Sequence, residues 1–178
     1  TSTTHRRIVV KAGTSLLTRG ADRLDLEMMA TLVGQIAHLH TGGAGVVLVS
    51  SGAVVAGRRV LGGSREGKDV PQRQALAAVG QSHLMHAYGQ LFEWHDITVA
   101  QALLSRRDLG DRLSYLNIRN TLLALMERRV IPIINENDVV AVEELAGEAF
   151  GDNDALSAMV ANLVDADLLV LLGEVEGL

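Results

Sequence analysis

Two clusters of Asn, Asp and Glu residues bracket one loop in the last third of the chain. Residues 135–138 (NEND) directly follow a short apolar run, and residues 151–154 (GDND) directly precede an apolar segment with helical spacing. In a parallel α/β sheet, ligands bind outside the carboxyl ends of the strands, where both clusters are expected to lie. The two clusters therefore predict a site for a charged ligand. Because Asn, Asp and Gly also form ordinary turns and helix caps, these residues alone leave that simpler interpretation open.

Two other junctions between a strand and a loop carry residues suited to phosphate chemistry. KAGTS contains Lys11, one of only two lysines in the chain, and SSGA contains Ser51 and Gly52. Glycine allows backbone N–H groups to approach an anion, and the N-terminus of a following helix favours negative charge. Such a set suits phosphoryl transfer, which depends on positioning and on neutralising charge. A polar turn and a serine helix cap are the alternatives for these two segments.

Composition and missing motifs exclude several other classes of protein. The chain has no cysteine, a net charge of −5 and no basic stripe, which argues against disulfides, cysteine-bound metals and nucleic-acid binding. The sequence contains neither a G-x-x-x-x-G-K-[ST] nor a G-x-G-x-x-G motif, so a P-loop enzyme is excluded and a dinucleotide-binding protein is disfavoured. No apolar stretch reaches the ~18 residues that a membrane span needs. We therefore expect a cytoplasmic protein without a membrane partner.

The spacing of apolar residues predicts the elements that must position these groups. Strands are predicted at residues 7–11, 46–49, 97–104, 130–134 and 167–172, and helices at residues 24–40, 53–61, 71–95, 112–129 and 154–163. Strands that alternate with helices form βα units, so we predict an α/β fold, a three-layer α/β/α sandwich with a mostly parallel sheet.

Six segments together carry a resemblance to a known family. In chain order they are VVKAGTS, VLVSSGAVVAGR, AAVGQ, IPIINENDVV, FGDNDALSA and LLVLLGEVEGL. The set resembles the glutamate 5-kinases of the amino-acid kinase family over nearly the whole chain. The resemblance implies transfer of a phosphoryl group from ATP, with Mg²⁺, to the γ-carboxylate of L-glutamate, the first step of proline biosynthesis. Another kinase of the family, such as one acting on acetylglutamate, and a non-catalytic fragment that binds glutamate or proline are the alternatives.

The same resemblance assigns roles to individual residues. It implies that Lys11 and Asp154 are catalytic, that Ser51, Gly52, Asp138 and Asn153 bind glutamate, and that Lys11, Gly13, Thr14, Gly173 and Glu174 face the nucleotide. Mg²⁺ is expected to be held mainly by ATP. Gly173 and Glu174 stand where the family commonly has Thr-Asp, so the acidic group is kept and the hydroxyl is lost.

The resemblance also implies the extent of the domain and its partners. Residues 1–178 correspond to the N-terminal, substrate-binding part of the kinase domain, and the chain stops in what should be a βα loop. We therefore expect a truncation at the C-terminus, without the rest of the nucleotide site or any PUA domain, and poor turnover by these residues alone. We expect proline to act as a feedback inhibitor. We also expect a homo-oligomer (dimer or tetramer), with residues 71–95 as its candidate interface. The product is expected to pass to glutamyl phosphate reductase.

Overall fold

A five-stranded sheet forms the centre of the structure, a computed structural model that describes residues 6–62, 70–140 and 153–173. Its strands are β1 (Arg7–Ala12), β2 (Gly45–Ser50), β3 (Val99–Leu104), β4 (Ile131–Glu136) and β5 (Leu168–Leu172). They lie in the order β3-β4-β2-β1-β5, and every neighbouring pair is parallel. All five carboxyl ends therefore meet at one edge of the sheet, as predicted.

Seven helices connect and cover these strands within the described ranges. They are α1 (Thr14–Thr18), α2 (Leu26–Thr41), α3 (Ala53–Leu61), α4 (Val70–Glu93), α5 (Arg106–Gly110), α6 (Arg112–Glu127) and α7 (Asp154–Leu163). None of the helices in the part of the chain that the structure describes has the length and apolarity needed to cross a bilayer.

Two apolar cores lie on opposite faces of the sheet. Along β1, Ile8 and Val10 belong to the core that α2 and α4 cover, whereas Val9 belongs to the core that α6 and α7 cover. Side chains alternate between the faces of a strand, and a parallel sheet with both faces buried needs apolar residues on each. The predicted three-layer α/β/α sandwich is therefore confirmed.

Most predicted elements agree with the structure, with informative differences at their ends. Helix α7 has the predicted bounds, but the fourth strand begins at Ile131 and continues to Glu136 instead of ending at Ile134. The two short helices α1 and α5 were not predicted. Helix α5 is stabilised by a capping box, in which the side chains of Ser105 and Asp108 each form a hydrogen bond with the other residue's backbone N–H.

Close packing between α3 and α4 depends on two glycines. A Cβ atom on Gly80 would lie 1.7 Å from the carbonyl oxygen of Ala53, and one on Gly57 would lie 1.8 Å from that of Leu76. No side chain fits at those distances, so the two helix backbones are in direct contact. This contact holds α4 against the end of β2, where the sheet meets the candidate site.

We predict that Gly80→Ala destabilises the protein by about 3 kcal/mol, because the new methyl group forces the two helices apart. Gly89→Ala is the matched control, since a Cβ at that position of the same helix meets nothing within 4 Å. The control should raise the free energy of unfolding by ~0.5–1 kcal/mol through helix propensity. Urea unfolding of both variants provides the measurement, and equal midpoints would contradict the packing described.

Candidate active site

Lys11 lies buried at the carboxyl end of β1, an interior strand of the sheet between β2 and β5. Its neighbours Val10 and Ala12 face the core under α2 and α4, so alternation along the strand directs Lys11 to the opposite face, toward α7. The lysine is only 2% exposed, and its Nζ lies 2.8 Å from Oδ1 of Asp154. Since a buried ammonium group is costly without a partner, this ion pair allows a cation to sit inside the sheet edge.

Asp154 is the first residue of α7, and the helix holds it in place. Leu156, Val160 and Leu163 anchor α7 in the core, and the hydroxyl of Ser157 donates to the carbonyl oxygen of Asp154 at 2.6 Å. A carboxylate at a helix N-terminus is favoured by the helix dipole. The Asp154 side chain is 56% exposed, so the ion pair connects a buried cation to a surface-accessible acid.

Asn153 connects the start of α7 to the ends of two strands. Its side chain is buried, and Nδ2 donates both to the carbonyl oxygen of Ser50 (2.5 Å) and to Oδ1 of Asn135 (2.8 Å). The carboxyl ends of β2 and β4 are thereby joined to the helix that carries Asp154. Asn153, Asp154 and Lys11, all singled out in the sequence, come together at this edge.

Backbone groups supply further hydrogen-bond donors beside the ion pair. Gly52 is the N-cap residue of α3, with φ of +98°, a conformation that favours glycine, and it has no side chain to cap the helix. Helix α7 also lacks a side-chain cap, whereas Asp25 caps α2 and Asp111 caps α6. The first-turn N–H groups of α3 and α7 have no partner within their own helices, so this edge of the sheet suits an anion.

The other predicted site residues that the structure describes lie on the same edge. Ser51 is buried, and its N–H donates to the carbonyl oxygen of Ala12 at 3.1 Å, which links the ends of β1 and β2. Asp138 is half-buried in the turn that follows β4. Gly13 precedes Thr14, the first residue of α1, and its N–H donates to the carbonyl oxygen of Leu172 at 3.3 Å.

That last bond places Gly13 beside the end of β5, where Gly173 is exposed. Glu174 lies outside the described residues, and so do residues 151 and 152 of the GDND cluster.

A buried hydroxyl pair under the site was not anticipated from the sequence. Oγ of Ser50 lies 2.9 Å from the hydroxyl oxygen of Tyr88 on α4 and donates to the carbonyl oxygen of Ser51 at 3.0 Å. With its own hydrogen used, Ser50 must accept from Tyr88. Burial raises the pKa of Tyr88 well above its usual range, while the Ser50 hydrogen bond opposes that rise. The tyrosine therefore remains a neutral donor that ties β2 to α4.

A chain of side-chain amides, with Asn135 and Gln81 buried and Gln101 exposed, was also missed. Nδ2 of Asn135 donates to Oε1 of Gln81 (2.8 Å), and Nε2 of Gln81 donates to Oε1 of Gln101 (3.0 Å). The available signal was the position of Gln81 on the core face of α4, between Ala77 and Leu84 at helical spacing. A polar residue on an apolar face indicates a buried hydrogen bond, but its partner cannot be read from the pattern.

Charged groups adjoin Asn153, yet the described residues do not form a metal cluster. A recess beside this side chain is lined by Leu104, Arg106, Glu136, Leu156 and Met159. Among the residues with described positions, no group of three or more His, Asp or Glu side chains is arranged to hold a metal ion. The described groups of the site are the buried ammonium of Lys11, its partner Asp154 and the hydrogen-bonding groups around Asn153.

Comparison with known proteins places this geometry in a family context. The sequence pattern of the Amino acid kinase family matches residues 6–178. Proteins named glutamate 5-kinase match from Dehalococcoides mccartyi (60% identical, 98% of this chain, 47% of that protein), Herpetosiphon aurantiacus (59%, 98% and 46%) and Meiothermus ruber (49%, 100% and 46%). The chain spans about half the length of the curated relatives it matches.

We predict an asymmetry between the two halves of the ion pair. Asp154→Asn removes a countercharge that lies in direct contact with the buried ammonium of Lys11, so it should lower the free energy of unfolding by ~1–3 kcal/mol. Lys11→Met removes the buried charge itself and should cost less. In urea unfolding, the double variant should match Lys11→Met, because Asp154 then has no buried cation to neutralise. A larger loss for Lys11→Met than for Asp154→Asn would contradict this account.

Proposed function

The chain belongs to the amino acid kinase family, and on that premise we propose that it forms the substrate-binding half of a glutamate 5-kinase. The reaction is transfer of the γ-phosphoryl group of ATP to the γ-carboxylate of L-glutamate. An oxygen of that carboxylate forms a bond to the γ-phosphorus, and the bond from this phosphorus to the oxygen of the departing ADP breaks. The product is γ-glutamyl phosphate, an acyl phosphate.

The observation that carries this proposal is the buried ammonium of Lys11 at the carboxyl edge of the sheet. Phosphoryl transfer depends chiefly on positioning the reactants and neutralising the charge on the equatorial oxygens. Lys11 supplies a fixed positive charge where the uncapped α3 and α7 also direct N–H groups. Lys11 therefore stabilises the transferring group, and Asp154 holds the lysine in position.

The amino-acid end of the substrate requires an anionic group in the protein, in contrast to the cationic group needed at the phosphoryl end. L-Glutamate carries an α-ammonium group and an α-carboxylate, so its site needs both an anionic and a hydrogen-bond-donating side. Asp138, at the end of β4, supplies the carboxylate for the ammonium group. Ser51 and Gly52, directly after β2, and Asn153, directly before α7, complete the glutamate site. The hydrogen bond from Asn153 to Ser50 holds these two segments together.

The nucleotide binds on the β1 and β5 side of the edge. Gly13 and Gly173 leave room for phosphate oxygens, and Thr14 is the first residue of α1 beside them. The resemblance to the family assigns Glu174 to the nucleotide as well. Mg²⁺ would be held mainly by ATP and would supply charge neutralisation for its phosphates. The glycines and the N–H-rich edge suit a polyphosphate that carries its own cation.

Further parts of the proposal rest on the resemblance to the family. Proline acts as a feedback inhibitor, and the protein works in the cytoplasm as a homo-oligomer, with α4 as the candidate interface. The product passes to glutamyl phosphate reductase in proline biosynthesis. Residues 1–178 alone turn over slowly, because the matched relatives are about twice as long.

Trapping the product with hydroxylamine tests the reaction, since an acyl phosphate converts to a stable hydroxamate. The chain should be joined to the remaining C-terminal part of the Dehalococcoides mccartyi relative and supplied with ATP and Mg²⁺. We expect γ-glutamyl hydroxamate from L-glutamate and none from N-acetylglutamate. Lys11→Met should reduce the rate by about 100-fold or more, through loss of electrostatic stabilisation.

Asp138→Ala should raise the glutamate concentration required far more than the ATP concentration required. Circular dichroism of each variant verifies folding. Equal product from the two amino acids, or folded joined protein without glutamate-dependent product, would contradict the proposed function.

A further inference from the structure

We propose that Gln81, on α4, is a positioning residue for the candidate site. It holds the side-chain amide of Asn135 in one orientation, and Asn135 in turn holds that of Asn153. In that orientation, Oδ1 of Asn153 is the atom of its amide that can accept a hydrogen bond from a ligand. This inference rests on the proposed function and deepens it: Asn153 accepts a hydrogen bond from the α-ammonium group of the substrate.

The hydrogen bonds run in one direction through the network. Nδ2 of Asn153 donates to Asn135, Nδ2 of Asn135 donates to Gln81, and Nε2 of Gln81 donates to Gln101, at 2.8, 2.8 and 3.0 Å. Asn153, Asn135 and Gln81 are 9, 4 and 8% exposed, so water cannot readily replace these partners. The network passes from α7 through β4 to α4 and ends on β3.

Two backbone groups determine that direction. The carbonyl group of Ser50 can only accept, so Asn153 must present Nδ2 to it. The N–H group of Glu136 can only donate, and it lies 2.9 Å from Oδ1 of Asn135. Asn135 must therefore turn its oxygen toward Glu136 and Asn153, and its nitrogen toward Gln81. Each amide consequently has one orientation that satisfies its neighbours.

Gln81 supplies the acceptor that completes this arrangement. Oε1 of Gln81 is the hydrogen-bond partner that the structure shows for Nδ2 of Asn135. Without it, a buried donor would be left unsatisfied, which is costly, and Asn135 would gain by rotating toward another acceptor. Rotation moves Oδ1 of Asn135 away from Nδ2 of Asn153 and breaks that hydrogen bond. A substitution on α4 therefore changes the hydrogen bonding of Asn153 at the start of α7.

The orientation of Asn153 limits what it can bind. An amide nitrogen has two hydrogens, and those of Asn153 are used by Ser50 and Asn135. The remaining oxygen accepts hydrogen bonds, so it suits an ammonium group and repels a carboxylate. Together with Asp138, Asn153 therefore favours a substrate with an α-ammonium group over glutarate, which has the same two carboxylates and no amine.

Calorimetric titration of the 178-residue chain with L-glutamate and with glutarate tests the inference. In Gln81→Met, which keeps the side-chain length but removes the acceptor, we expect L-glutamate binding to weaken about tenfold. Glutarate binding should change less, so the preference for L-glutamate should fall. A general loss of stability would weaken both ligands alike.

Two further variants control for the substitution. Gln90→Met removes an exposed glutamine from the same helix and should leave both dissociation constants unchanged. Gln81→Glu retains an oxygen acceptor for Asn135 and should keep the preference for L-glutamate. An unchanged preference in Gln81→Met, or a lost preference in Gln81→Glu, would overturn the inference.

The side-chain NH₂ signals of Asn153 provide a readout in the free protein. In NMR spectra they should shift in Gln81→Met and remain in place in Gln90→Met. If the unaltered chain binds neither ligand, the proposed function fails, and these signals still decide the role of Gln81. Asn153 signals that are identical in Gln81→Met and in the unaltered chain would overturn the positioning role.

Discussion

A lysine ammonium group buried at the carboxyl end of the interior strand β1 is the constraint on which the site depends. Lys11 is 2% exposed, and a charge at that depth is tolerated only with a partner in direct contact. Asp154 is such a partner, at 2.8 Å, and the helix that carries it begins at the carboxyl edge of the sheet. The placement of α7 and the chemistry of the edge are thus two consequences of one ion pair.

The rest of the fold keeps that edge rigid. Parallel pairing brings the ends of all five strands together, and Asn153 ties two of them to α7. On the opposite face, Gly57 and Gly80 let α3 and α4 pack backbone to backbone. This close contact keeps Tyr88 and Gln81 within hydrogen-bond reach of β2 and β4. The proposed phosphoryl transfer needs such preorganised groups, because the charge that develops on the phosphoryl oxygens must be stabilised without rearrangement of the protein during the reaction.

The sequence predicted what periodicity and residue type can reveal, and missed what depends on tertiary partners. Helix α7 was predicted with its observed bounds because an Asx cluster directly precedes a helical apolar pattern. Strand β4 was predicted to end two residues too early, because Asn135 reads as a loop residue until its partners Gln81 and Asn153 are known. The short helix α5 depends on the reciprocal bonds of Ser105 and Asp108 rather than on any apolar pattern.

Binding of the amino acid is the most direct measure of the central claim, that this edge is the glutamate half of a kinase site. Calorimetry on the 178-residue chain should compare L-glutamate with N-acetylglutamate, whose amide cannot form the ion pair proposed for Asp138. We predict saturable binding of L-glutamate at one site, with N-acetylglutamate at least about tenfold weaker, as loss of a charged hydrogen bond implies. Equal affinity for the two compounds, or no binding of L-glutamate, would contradict the account.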